Sequence, residues 1–198
     1  MKKIMFNDEY LLTQTVLAGS KTMTRRVLKE GTPLGNWKET AKHLPYKVGD
    51  IVAIAQSYEV VYAEKIVDFI RHNYHSPIKD AAEKFKKVYE SNAGWENKMF
   101  VRADLLPHHI RITDVKVERL QDISDDDIMR EGVREQIVAG NKDYYFETDK
   151  VVAGLHCTNL IFFKTPREAF ASLIDKVSGK SMWESNPWVV AYSFELVD

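Results

Sequence analysis

Within "GSKTMTRR", residues 19 to 26, a lysine, a threonine and two arginines lie close enough in sequence to share one site. Lys21 and Thr24 are the pair that acyl chemistry needs: a hydroxyl nucleophile and an amine to take its proton. A lysine serves as base only when its pKa falls, and partial burial beside Arg25 and Arg26 pushes it down. In an extended strand the three-residue offset puts Lys21 and Thr24 on opposite faces, so this reading demands a turn or bulge. The same stretch suits a second task. Lys21, Arg25, Arg26 and Lys29 place four cations within nine residues, which fits contacts to a phosphate backbone. A solvated surface turn is the plainest of the three readings.

Glu131 is an independent oddity. It is an acid at the C-terminal turn of the short helix "SDDDIMREG", where the macrodipole disfavours a carboxylate. An exposed glutamate that tolerates this cost is the simpler reading; a role as proton donor is the sharper one. His108 with His109, and His72 with His75, have no carboxylate or cysteine at a recognised ligand spacing, so no metal site is expected. Cys157 is the sole cysteine, which excludes an intrachain disulfide and reads as a small buried hydrophobe beside a strand. Trp37, Trp95, Trp183 and Trp188, with Tyr144, Tyr145 and Phe146, could stack on bases but more commonly pack a core.

A framework has to hold these side chains. Residues 3 to 6 read as a strand, after which Asn7 or Asp8 caps a helix carrying Leu11, Leu12, Thr15, Val16 and Ala18. Gly19 then takes the left-handed position at its end, which sets Lys21 just past a helix C-terminus. "YKVGDIVAIAQSYEVV" reads as a Gly-Asp turn followed by a strand or hairpin arm from Ile51 to Val61. Ser76 as cap, Pro77 in the first turn and Ile78, Ala81, Ala82, Phe85 and Val88 predict an amphipathic helix ending near "SNAG".

"HHIRITDVKVERLQDI" alternates like a half-buried strand. Ser124 caps the following helix, with Asp127 at the capping-box position and Gly132 closing it. "REQIVAGNKDYYFET" predicts a hairpin turning at "AGNKD". Thr165, Pro166 and Glu168 start a helix with Phe170, Leu173, Ile174 and Val177 on one face, and "NPWVVAYSFELV" is a closing strand. Strands and scattered helices without a βαβ rhythm favour α+β, or a small barrel with attached helices.

The 198 residues suffice for one domain with a real core. A net charge of -1, from 28 basic against 29 acidic residues, gives no global field toward nucleic acid, so any such binding must be local. No stretch reaches the roughly 18 apolar residues of a membrane span, and "MKKIMFNDEY" lacks an apolar targeting segment. A cytoplasmic protein that does not enter membranes is expected.

"LAGSKTMTRR" resembles the G-x-K-x-x-T-x-R signature of the ASCH domain, a β-barrel fold related to the PUA domain of RNA-modifying proteins. The match falls on Gly19, Lys21, Thr24 and Arg26. "YKVGDIVAIAQ", "ITDVKVERLQDISDDDIMREGV" and "NPWVVAYSFELV" resemble, in order, the family's Gly-Asp strand, its strand with a short acidic helix, and its closing strand. The resemblance covers roughly residues 1 to 60 and 99 to 198. It implies an α+β, PUA-like (ASCH) β-barrel with flanking helices, one domain over residues 1–198, and a helical insertion at about 62–98.

A smaller branch of that family consists of amidohydrolases that deacetylate N4-acetylcytidine. Carried over by position, its catalytic lysine, threonine and glutamate fall on Lys21, Thr24 and Glu131, with Gly19, Arg25 and Arg26 at the substrate or RNA. The resemblance thus implies hydrolysis of an acylated nucleobase or nucleoside, without cofactor or metal. The alternative is a non-catalytic RNA-binding module that uses the same cationic cleft. The chain departs from those enzymes in its length, in the insertion, in an extra hairpin after Glu131, and in Gln56, where longer ASCH proteins often carry a glutamate.

Overall fold

The computed structural model describes residues 1–72, 74, 76–152 and 155–197. Along them run β1 (Lys2–Ile4), α1 (Leu12–Leu17), β2 (Met23–Val27), α2 (Trp37–Thr40), β3 (Ile51–Ile54), α3 (Tyr58–Arg71) and α4 (Ser76–Tyr89). There follow β4 (His109–Arg119), α5 (Asp125–Arg130), β5 (Arg134–Val138), β6 (Asn141–Val152), β7 (Leu155–Phe163), α6 (Pro166–Ser178), α7 (Met182–Ser185) and β8 (Trp188–Leu196). The fold is α+β, as expected. Its strands lie in two sheets, and among the described residues neither closes into a barrel. The chain divides into two compact units: one holds Met1–Phe6, Ile51–Ile110 and Val197, the other Asn7–Asp50 and Arg111–Leu196.

In the first unit β1 pairs in parallel with β3, Ile4 opposite Ile54. Val52, Ala53, Ile54 and Ala55 are all completely buried, which is why this strand reads as a continuous apolar run. The expected extension of that strand to Val61 does not occur. The chain leaves the sheet, and Ser57 caps α3 by accepting a hydrogen bond from the Val60 amide. Tyr58 and Val61 turn inward to pack with Ala53, Ala55, Val101 and Leu106. α4 is the amphipathic helix that the spacing predicts; His75 and the side chain of Ser76 lie outside the described residues.

The Tyr58 ring packs edge-to-face with Phe85 and at a tilt against Tyr89, centroids 5.7 and 4.7 Å away. Its other neighbour is Gly94, whose carbonyl accepts the Tyr58 amide at 2.9 Å. A Cβ on Gly94 would stand 2.7 Å from Tyr58 Cε2 and 3.2 Å from Val101 Cγ1, both in the packed core. Gly94→Ala is therefore expected to lower stability by about 1–3 kcal/mol through overpacking. Urea denaturation checks this, and an unchanged midpoint would show that the Tyr58 cluster yields freely.

In the second unit β2 runs antiparallel to β8, with Thr24 opposite Tyr192 and Arg25 opposite Ala191. Val189 to Phe194 are buried, as a closing strand requires. α6 carries the complete Thr165–Glu168 capping box, and buries Ala169, Phe170 and Leu173. The predicted hairpin is present with a tighter turn: Ala139 and Gly140, at φ 49° and 80°, connect β5 directly to β6. Two successive left-handed residues are what a type I′ hairpin needs.

Two local expectations are corrected here. α1 begins at Leu12, after a left-handed Leu11 at φ 51°, because Asn7 and Asp8 hold a preceding turn through the Tyr10 amide and the Thr13 hydroxyl. Cys157 is half-buried on β7, opposite Lys150, instead of lying in the core.

Candidate functional site

All of the site residues expected from the sequence belong to the second unit. α1 ends in Ala18 and Gly19, the latter at φ 71° with its amide on the Val16 carbonyl. The Ser20 and Lys21 amides both return to the Thr15 carbonyl, at 3.0 and 2.9 Å. This wrap around the helix end sends the Lys21 side chain inward, where it is only 2 % exposed. This turn lies at residues 18 to 21, ahead of β2, and redirects Lys21 alone; it does not supply the turn or bulge between Lys21 and Thr24 that would bring both into one pocket.

Glu131 arrives from the other side. Ser124 caps α5 by accepting the Asp127 amide, and Glu131 closes the helix with its own amide on the Asp127 and Ile128 carbonyls. Gly132 then turns the chain at φ 107°. A Cβ there would lie 3.3 Å from Leu12 and 3.6 Å from the Lys21 stem, so the glycine also allows the close approach. The Thr22 amide donates to the Arg130 carbonyl at 2.9 Å, tying the two segments together.

Lys21 Nζ donates to Glu131 Oε2 at 2.7 Å and to the Glu131 carbonyl at 2.5 Å, across 110 residues of chain. The second contact sets a cation at the C-terminus of α5, where the helix dipole favours it. Burial pushes the Lys21 amine below its ordinary value; Glu131 opposes this, and Arg26 and Arg25 add to it.

Arg25 is also buried and completes the cluster. Nη1 donates to Glu131 Oε1 at 3.0 Å, Nη2 to Glu118 Oε1 at 2.6 Å and to Asp127 Oδ2 at 3.1 Å, and Nε to Glu118 at 3.1 Å. Burial alone would lower the guanidinium, but Glu131 and Glu118 outweigh it and hold Arg25 above its usual value. The Asp127 carboxylate, expected to close a capping box, turns instead to Arg25 and Arg130. Glu118 and Asp127 are thus parts of the site that sequence reasoning missed. Alternation along β4 sets Glu118 beside Lys116, which it does pair with, and offers no hint of the arginine reaching it from β2.

Strand alternation sends Thr24 to the face of β2 opposite Arg25, together with Arg26. Thr24 is 5 % exposed, and among the described residues no hydrogen bond joins its hydroxyl to Lys21 or Glu131. Its cross-strand partner Tyr192 is fully buried, and packs edge-on against Tyr46 at 5.3 Å. The Tyr192 hydroxyl donates to no group among the described residues. Burial raises this phenol to about 12, against the opposing influence of the Tyr46 backbone and Arg26, so it is a neutral donor at physiological pH. Burial lowers Arg26, and Glu131, Tyr46 and Tyr192 counter it.

The structure therefore brings together Lys21, Arg25 and Glu131, places Arg26 within their electrostatic reach, and sets Thr24 next to Tyr192. Gly19 acts through the backbone. Compared with known proteins, the chain matches no family model, no curated protein and no solved structure.

Proposed function

We propose that this protein is an amidohydrolase that removes the acyl group from an acylated nucleobase or nucleoside such as N4-acetylcytidine, on a PUA-like (ASCH) variant of the α+β fold. One observation carries the reading: Lys21, three residues before the proposed nucleophile Thr24, forms a buried pair at 2.7 Å with Glu131, remote in sequence. An ammonium–carboxylate pair and an amine–carboxylic acid pair contain the same number of protons. Moving one proton along the Nζ–Oε2 line therefore supplies a base and an acid together, and burial favours the free-amine form of Lys21.

In the proposed reaction the Lys21 amine takes the proton of Thr24 Oγ1 as that oxygen attacks the acyl carbonyl. Glu131 protonates the departing exocyclic nitrogen as the carbon–nitrogen bond breaks. Water, deprotonated by the resulting Glu131 carboxylate, then cleaves the acyl-threonine ester. The proton that Lys21 received returns to the threonine oxygen. Tyr192, the cross-strand neighbour of Thr24 and neutral at physiological pH, is the donor assigned in this reading to the carbonyl oxygen as it gains charge.

The RNA-binding alternative asks Arg25 and Arg26 of the cationic loop to grip phosphate. The Arg25 guanidinium is occupied by three carboxylates, which counts against it as a phosphate ligand and as a substrate contact alike and leaves Arg26 for either role. Incubation of the purified protein with N4-acetylcytidine and a panel of N-acyl nucleosides tests the proposal. Release of the acid and free amine is expected, and no deacylation of any of them would overturn it.

The pH dependence has a definite sign. The reactive state holds one proton shared between Lys21 and Glu131, so kcat/KM falls as rising pH removes that proton. Because burial holds Lys21 below the ordinary lysine value of 10.5, the fall should set in before that pH. A pH–rate profile that still climbs steeply beyond it would assign the proton transfer to another group.

A further inference from the structure

A separate cavity of about 480 Å³ lies wholly within the first unit. Val60, Val61 and Val67 of α3, with Pro107, form apolar walls, and Glu64 and His108 supply its polar part. The α3 residues recur at helical spacing, so they present one continuous face to the cavity. Its size is that of sites that take small organic molecules.

The carboxylate is built into place from two directions. Gln56, 4 % exposed at the end of β3, donates from Nε2 to Glu64 Oε1 at 2.6 Å, while His108 Nε2 lies 3.3 Å from Glu64 Oε2. Burial would raise Glu64, but the hydrogen bonds from His108 and Gln56 outweigh it and hold the group below its usual value. It is an acceptor at neutral pH. Gln56 Oε1, the other end of the same amide, is buried with no hydrogen-bond partner among the described residues. A flipped amide would set oxygen against the carboxylate, so the observed orientation is the one Glu64 selects.

The remaining charges narrow the ligand. Asp68 and Arg71 also line the cavity and offset one another, and Lys65, another lining residue, extends its ammonium over the Phe85 ring at 5.5 Å. A fixed carboxylate repels phosphate and carboxylate ligands. Its oxygens match a group that presents N–H donors, as the exocyclic amine of a base does.

We infer that this cavity binds a neutral, flat nitrogen heterocycle bearing an exocyclic amino group, its ring between the valines and Pro107 and its amino group on Glu64. The proposal rests on the first unit alone, and does not depend on deacylation.

Adenine and purine differ by one amino group and serve as probes. Titration into the full chain, followed by calorimetry and by two-dimensional NMR, is expected to show adenine binding at least tenfold more tightly than purine, with shifts centred on α3 and His108. Glu64→Gln should remove that preference, and Val60→Trp, which fills the cavity, should abolish binding of both. Melting curves of both variants establish that they are folded; of these, Val60→Trp changes no polar group. Equal affinity for the two probes, shifts confined to other parts of the chain, or an adenine preference that survives Glu64→Gln would each overturn the inference, as would the absence of binding.

Discussion

On the proposed mechanism, Thr24→Ala is expected to lower kcat for deacylation of N4-acetylcytidine by about a thousandfold or more, because it removes the atom assigned to the acyl intermediate. The substitution deletes a hydroxyl and a methyl from a buried strand position that makes no hydrogen bond to Lys21 or Glu131. Melting temperature should therefore change little beside the loss of rate. Trapping separates this role from a merely structural one. Rapid acid quench and mass spectrometry of the wild-type protein should reveal an acyl adduct on the peptide containing Thr24, and the variant should show none. Retention of more than a tenth of the wild-type kcat would place the nucleophile elsewhere.

Arg25→Ala should instead act on stability. It leaves Glu118, Glu131 and Asp127, of which the first two are 5 % exposed, without the guanidinium that joins them. Removing one partner of a buried ion pair costs about 3–5 kcal/mol, because the remaining charge stays desolvated. Lys21 and Lys116 still face Glu131 and Glu118, which places the expected loss toward the lower end. Chemical denaturation at neutral pH measures it. If Arg25 served as a phosphate ligand in solution, the variant would unfold like wild type and lose RNA affinity with a flatter salt dependence.

The parts of this site that were legible in the sequence are those fixed by neighbours in the chain. Gly19 at the end of α1, Ser124 at the start of α5 and Gly132 after it are local signals, and each adopts the expected geometry. They aim Lys21 and Glu131, but nothing local states that the two meet. Arg25 shows the limit most clearly. Its charge suggested a ligand for substrate or RNA, whereas its partners, 93 to 106 residues away, are acids.

The start of α3, ahead of the helical insertion expected from about residue 62, was hidden for a different reason. Tyr58, Val60 and Val61 follow a buried parallel strand whose own residues are apolar without alternation, so the run "IVAIAQSYEVV" carries no periodicity that separates strand from helix. The Ser57 cap decides the matter. Glu64 and the cavity beside it become visible only once that helix has formed.

The shared guanidinium also shapes how this sequence can drift. A single substitution at Arg25, Glu118 or Glu131 strands a desolvated charge, while a matched pair of apolar replacements at Arg25 and Glu118 removes two of the charges together and leaves Glu131 to Lys21 and Asp127 to Arg130, so it costs less than loss of Arg25 alone. The intermediate is the barrier, and it is steep from either side. Arg25 and Glu118 should thus change together or not at all, and a double-mutant cycle on them should give a coupling energy larger than either exposed pair, such as Arg111 with Glu195, can supply.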